Sequence, residues 1–146
     1  MKNIYNFLIL VSIVAAIFML ASCKKTNEDL IVGTWRCTSV TCNPSDFSEA
    51  ERFSALYTSA KFLFTAEKYV AIAFPSETSY GYYTIDGDQL GIAIWGNENP
   101  VIAQINHLDS RNLTFTFTDE AYDEDENGEG RHINVDYTLS LEKLKE

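Results

Sequence analysis

Asn112-Leu113-Thr114-Phe115-Thr116-Phe117-Thr118 and Ile133-Asn134-Val135-Asp136-Tyr137-Thr138-Leu139-Ser140-Leu141 alternate apolar and polar residues without a break. Strict alternation is the period of a half-buried strand, because successive side chains of an extended chain point to opposite faces. Leu113, Phe115 and Phe117 therefore share one face, as do Ile133, Val135, Tyr137, Leu139 and Leu141. Working outward from these two, residues 32–39, 60–65, 68–74, 78–85, 89–95, 101–108, 112–118 and 131–142 read as strands. Turn signals separate them: Pro75-Ser76, Asp86-Gly87-Asp88, Gly96-Asn97-Glu98-Asn99-Pro100 and Asp109-Ser110. Eight short strands joined by hairpin turns predict an all-β fold, an eight-stranded antiparallel up-and-down barrel.

Pro44 to Thr58 interrupts that pattern. Ser45 or Asp46 supplies a cap, Asp46, Glu49 and Glu51 fall early, and Phe53, Leu56 and Tyr57 share one face. A short helical insert between strands 1 and 2 is expected, lying over an open barrel end. The 146 residues suffice for one domain, and 46% hydrophobic with 22% charged residues is the composition of a packed core. Eleven Lys and Arg face 21 Asp and Glu, a net charge of -10. No basic face for phosphates is available, so nucleic acid is excluded as a partner.

The first residues differ from the rest. Lys2 is followed by a nearly unbroken apolar run from Phe7 to Leu20, and no acidic residue precedes Glu28. A charged start and a short apolar run read as a secretory leader rather than a membrane span. The run exits through Leu20-Ala21-Ser22-Cys23, which resembles the lipobox of bacterial lipoproteins. That resemblance implies cleavage before Cys23 and transfer of a diacylglycerol to its thiol. The organisation expected is a leader over 1–22, a lipidated Cys and polar tether over 23–31, and a barrel over 32–146. An uncleaved anchor or an ordinary leader is the alternative. The partner implied is the membrane, and the location the outer membrane or cell envelope, with the side left open.

Gly33-Thr34-Trp35 resembles the Gly-x-Trp element that opens the first strand of lipocalins. Tyr83-Thr84-Ile85-Asp86-Gly87-Asp88-Gln89-Leu90-Gly91-Ile92 and Tyr137-Thr138-Leu139-Ser140-Leu141 resemble the small lipocalin-like domains of bacterial lipoproteins. The likeness runs from about Val32 to Lys143. It implies that Trp35 closes one barrel end beneath a late basic side chain, for which Arg36, Arg131 and Lys143 are candidates. It also implies a small apolar or amphipathic ligand, with Trp35, Phe62, Phe64, Tyr69, Tyr82, Ile92, Ile105, Phe115 and Phe117 as lining. An eight-stranded barrel is just wide enough for side chains or for one small ligand. Ala71, Ala73, Gly81, Gly91, Ala93 and Ala103 would leave a cavity if they pointed inward and none if they pointed out. Several of these strands are apolar on both faces, so their pattern does not choose. The alternative function is an accessory interaction domain with a filled barrel.

With Cys23 lipidated, Cys37 and Cys42 remain, an even number in an oxidising compartment. A disulfide between them is expected, provided the chain turns over Thr38–Thr41, because five extended residues separate Cα atoms by about 16 Å. Two free thiols are the alternative. The acidic run Asp119–Gly130 is expected as a long, solvated, mobile loop. Within it Asp123-x-Asp125-x-Asn127-Gly128 matches half of an EF-hand-type calcium loop, with Glu129 or Glu126 as a further ligand. Position twelve is Asn134 rather than Glu, so the solvated loop is the expectation, with calcium as the alternative and no other cofactor expected. His107 and His132 lie on different strands, and no nucleophile motif accompanies them. A non-enzymatic protein is expected.

Overall fold

The computed structural model describes residues 25–146; the stretch expected as a leader, and Cys23, lie outside them. Eight strands close into a barrel in simple sequence order, every neighbour antiparallel, with the last strand pairing back on the first. They are β1 (Gly33–Asn43), β2 (Lys61–Phe64), β3 (Tyr69–Ala73), β4 (Thr78–Asp86), β5 (Gln89–Ile94), β6 (Val101–Leu108), β7 (Asn112–Glu124) and β8 (Gly130–Lys143). Among the described residues two helices accompany them: α1 (Asn27–Ile31) ahead of β1, and α2 (Ala50–Thr58) between β1 and β2. The all-β class, the up-and-down topology and the helical insert are those the alternation predicts. The helix itself is shorter than 44–58, beginning at Ala50.

Alternation sorts the residues as expected. Phe62 and Phe64 point inward from β2, Val70 and Ile72 from β3, and Leu90 and Ile92 from β5. Leu113, Phe115 and Phe117 do so from β7, and Val135, Tyr137, Leu139 and Leu141 from β8. The β4–β5 turn takes only two residues, and Gly87 adopts φ +58° there, which a residue without a Cβ reaches freely.

Three expectations need correction. β1 does not turn at Ser39. It runs on to Asn43 in continuous pairing with β8, from Cys37 opposite Leu141 to Cys42 opposite Tyr137, with one bulge between Cys37 and Ser39. Extended chain of that length holds the two Cα atoms about 16 Å apart, against the ~7 Å a disulfide tolerates. Cys37 and Cys42 are accordingly free thiols.

The acidic run is likewise no loop. Pairing of β7 with β8 continues from Asp119 opposite Val135 to Glu124 opposite Gly130, leaving a turn of Asp125–Glu129. Beyond the reach of β6 and β1 these two strands pair only with each other, so a two-stranded ribbon projects past the barrel.

Finally, the stretch expected as a polar tether is partly built into the fold. Thr26 caps α1 by accepting from the Asp29 N–H, while the Asp29 side chain reaches back to the Thr26 N–H. This reciprocal capping box satisfies donors that a helix start otherwise leaves open.

Candidate functional site

The barrel interior and its two ends are where a ligand site would form, and each end is closed by a different device. At the α1 end Trp35 is fully buried, and its indole N–H donates to the Ile31 carbonyl over 2.7 Å. Lys143, opposite Trp35 on β8, sets its ammonium 4.9 Å from the centre of the indole ring and donates to the Leu30 carbonyl over 2.9 Å. Of the three basic candidates, Lys143 is the partner of Trp35. Burial disfavours its charged form and, with Lys25 nearby, lowers its pKa. Arg36 instead faces Glu142 on the surface, and Arg131 belongs to the opposite end. Ile31 is fully buried beside Trp35. Gly33 makes room for this closure: a Cβ there would stand 2.6 Å from Lys143 Cε.

At the other end α2 lies across the mouth. Its Phe53 ring stacks on Tyr137 at 3.9 Å between centroids and on Tyr57 at 4.4 Å, and Tyr57 meets Phe74 edge-on at 5.3 Å. Leu56, expected on the same face, is exposed. Burial raises the phenol pKa values of Tyr57 and Tyr137, and Asp119 adds to both. The ribbon folds over the chain leading into α2. Asp123 Oδ1 accepts from the Ser48 backbone N–H at 3.1 Å, and its Oδ2 accepts from Arg131 Nε and Nη2 at 3.1 and 2.9 Å. Those donors, Ser48 foremost, hold the Asp123 pKa below the usual carboxylate range.

Between the ends, Trp35, Phe62, Phe64, Ile92, Ile105, Phe115 and Phe117 all point inward and are buried, as a lining set requires. They also pack on one another. Phe62 meets Phe64 at 6.3 Å and Phe115 at 6.2 Å, Phe115 meets Phe117 at 6.5 Å, and Phe117 meets Tyr137 at 5.3 Å. Tyr69 and Tyr82 are not part of this interior. They sit opposite each other on the outer faces of β3 and β4, about half exposed. The parity that the sequence leaves open is thus settled by register. Ala71, Ala73, Gly91 and Ala93 face outward, and only Gly81 and Ala103 face inward.

The calcium candidates do not converge. Asp123 spends both oxygens on Ser48 and Arg131, while Asp125 Oδ1 accepts from the Asn127 and Glu129 backbone N–H groups at 2.8 and 2.9 Å. Asn127 and Glu129 are exposed in the turn. Among the described residues no cluster of three or more His, Cys, Asp or Glu is placed to hold a metal ion. His107 pairs with Asp109 in the β6–β7 turn region, and His132 with Glu120 across the ribbon.

The sequence misses α1 and the Asp123–Arg131–Ser48 clamp. The capping pattern Thr26-x-x-Asp29 was the available signal for α1. The clamp joins residues 75 and 8 positions apart and has no local signature. No protein-family model matches the chain, and no curated protein matches it.

Proposed function

We propose that this chain is a lipid-anchored protein of the outer membrane or cell envelope, with a leader over 1–22, a diacylglycerol on Cys23, and a lipocalin-like barrel. The barrel takes a small apolar or amphipathic molecule through the mouth beneath α2. The observation that carries this reading is the asymmetry of the two ends. The α1 end is held by strand pairing, an indole hydrogen bond and Lys143, whereas the mouth is stoppered by rings on a helix that pairs with no strand. Displacing Phe53 and Tyr57 would expose Phe117 and Tyr137, an apolar and aromatic surface of the kind that lines small-molecule sites. The lipobox, the Gly-x-Trp element and the Trp35–Lys143 stack support the lipoprotein and lipocalin-like parts of the reading. The protein acts by binding rather than by catalysis, and nucleic acid is not among its partners.

A second reading is favoured by one observation: four of the six small residues face outward, so the interior is filled by rings. The barrel is then an accessory domain that works through its outer surface. Native mass spectrometry of the full chain from membranes, with solvent extraction, separates the two. A co-purified small molecule is expected, together with tighter uptake of an apolar fluorescent probe by F53A/Y57A. An empty barrel with no gain of uptake in that variant overturns the ligand reading and leaves the second.

A further inference from the structure

The outer face of the barrel over β2–β5 carries exposed rings in two adjoining rows. Leu63, Ala71, Tyr80 and Trp95 form one row across the strands, and Tyr69, Tyr82 and Ala93 the next. Tyr80 and Trp95 lie 6.2 Å apart and nearly parallel, Tyr82 meets Trp95 at 5.7 Å, and Tyr69 meets Tyr82 at 5.0 Å. Trp95 is 57% exposed and Tyr80 53%, and a shallow cleft of about 220 Å³ opens between them, Leu63 and Tyr69. The outward alanines and glycine leave these rings standing proud of the backbone. An apolar body with a polar tip is the chemistry that settles Tyr and Trp at a membrane–water boundary.

Two further observations choose the occupant. The first is charge. On a chain of net charge -10, no carboxylate occupies the outward positions of β2, β3 or β5, and β4 has one only at Asp86, in its turn. This face is therefore spared the repulsion that an acidic surface meets at an anionic leaflet. The second is where the chain emerges. Asn27 donates to the Gly87 carbonyl and Asp88 in the β4–β5 turn, and Glu28 pairs with Lys68 at 2.9 Å, one residue before Tyr69. The N-terminal segment thus leaves the barrel at the foot of the aromatic face, and Cys23 is only three residues before Thr26.

We infer that the barrel lies on the membrane with this face down, its Tyr and Trp rings seated among lipid headgroups beside the acyl anchor. The inference rests on the lipid-anchored reading above. Two weak contacts in tandem, one acyl and one interfacial, hold a protein far more firmly than either does alone.

Bromolipid quenching tests it, because the chain has two tryptophans and Trp35 is buried beneath Lys143. The full chain is reconstituted into phosphatidylethanolamine–phosphatidylglycerol vesicles with bromine on the acyl chains, and flotation is scored in parallel. Expected are co-flotation, loss of most of the Trp95 emission with bromine near the headgroups, and unquenched residual emission in W95F. Y80S/Y82S, which alters only exposed rings, should float but lose much of the Trp95 quenching. A chain that floats with Trp95 unquenched overturns the docked face and spares the anchor. If Trp95 is then shielded in a sedimenting dimer, or by an added soluble glycan, the face serves that partner instead. A chain that does not float overturns the anchored reading itself.

Discussion

Lys143 reaches its place over Trp35 because nothing projects from Gly33. Gly33 also holds φ at +134°, where residues with a side chain are strained. Both effects act against Gly33→Ala, which should cost about 1–3 kcal/mol in urea unfolding. Adding Lys143→Met should recover the steric share and leave the backbone share. Lys143→Ala alone should cost about 1–2 kcal/mol, through the lost hydrogen bond to Leu30 and the lost cation–ring contact. At the mouth, Asp123 gives a pH-dependent test. Its folded-state pKa is lowered, so the folded protein binds fewer protons there than the unfolded chain does as pH falls into the carboxylate range. The stabilisation is full above the unfolded pKa and disappears as pH drops through the folded one. Melting curves of wild type and Asp123→Asn should therefore differ by several degrees at neutral pH and converge in acid. Burial pushes the Cys37 thiol up to about 11, which disfavours its thiolate at neutral pH.

Among the strands, the outer halves of β7 and β8 form a ribbon with the fewest strand neighbours. It carries seven of the acidic residues, at 119, 120, 123, 124, 125, 126 and 129, and beyond Thr118 neither strand of it has a third strand as neighbour. Its amides should exchange with deuterium well before those of Leu113–Phe117, and raised salt should narrow that gap by screening the like charges. Exchange rates equal to those of the barrel core would disprove this. The ribbon also shows where reading the sequence stops. Leu113–Phe117 and Ile133–Leu141 declare their strands because one face is apolar throughout. In Asp119–Glu124 the inward positions include Ala121 and Asp123, a small residue and a paired carboxylate, so alternation of charge and hydropathy vanishes while alternation of the backbone persists. Cys37 and Cys42 illustrate the same limit, since the even count suggested a bond that only the run of β1 along β8 forbids. The exposed aromatic face escaped for a related reason: on strands apolar on both sides, register with the neighbours decides which rings point out.

For the molecule as a whole, closure is what couples the parts. Every strand has two neighbours, and the residues after β8 return to the first strand, with the Leu144 N–H donating to the Thr34 carbonyl over 2.8 Å. Residues ahead of the barrel still matter to it. Removing everything before Val32 would take away Ile31, the acceptors for Trp35 and Lys143, and the Glu28–Lys68 pair, a loss of about 3–5 kcal/mol. Chemical unfolding should report it, with Trp35 emission shifted to the red in the still-folded variant. On the lipid-anchored reading proposed above, the same segment would be both the route to the anchor and the stopper of the closed end, and this has a mechanical meaning. A pull on the N-terminus meets the Asn27–Gly87 and Glu28–Lys68 contacts before it loads any strand, so α1 would act as a fuse. It would yield first and uncover Trp35, and the barrel behind it would stay paired.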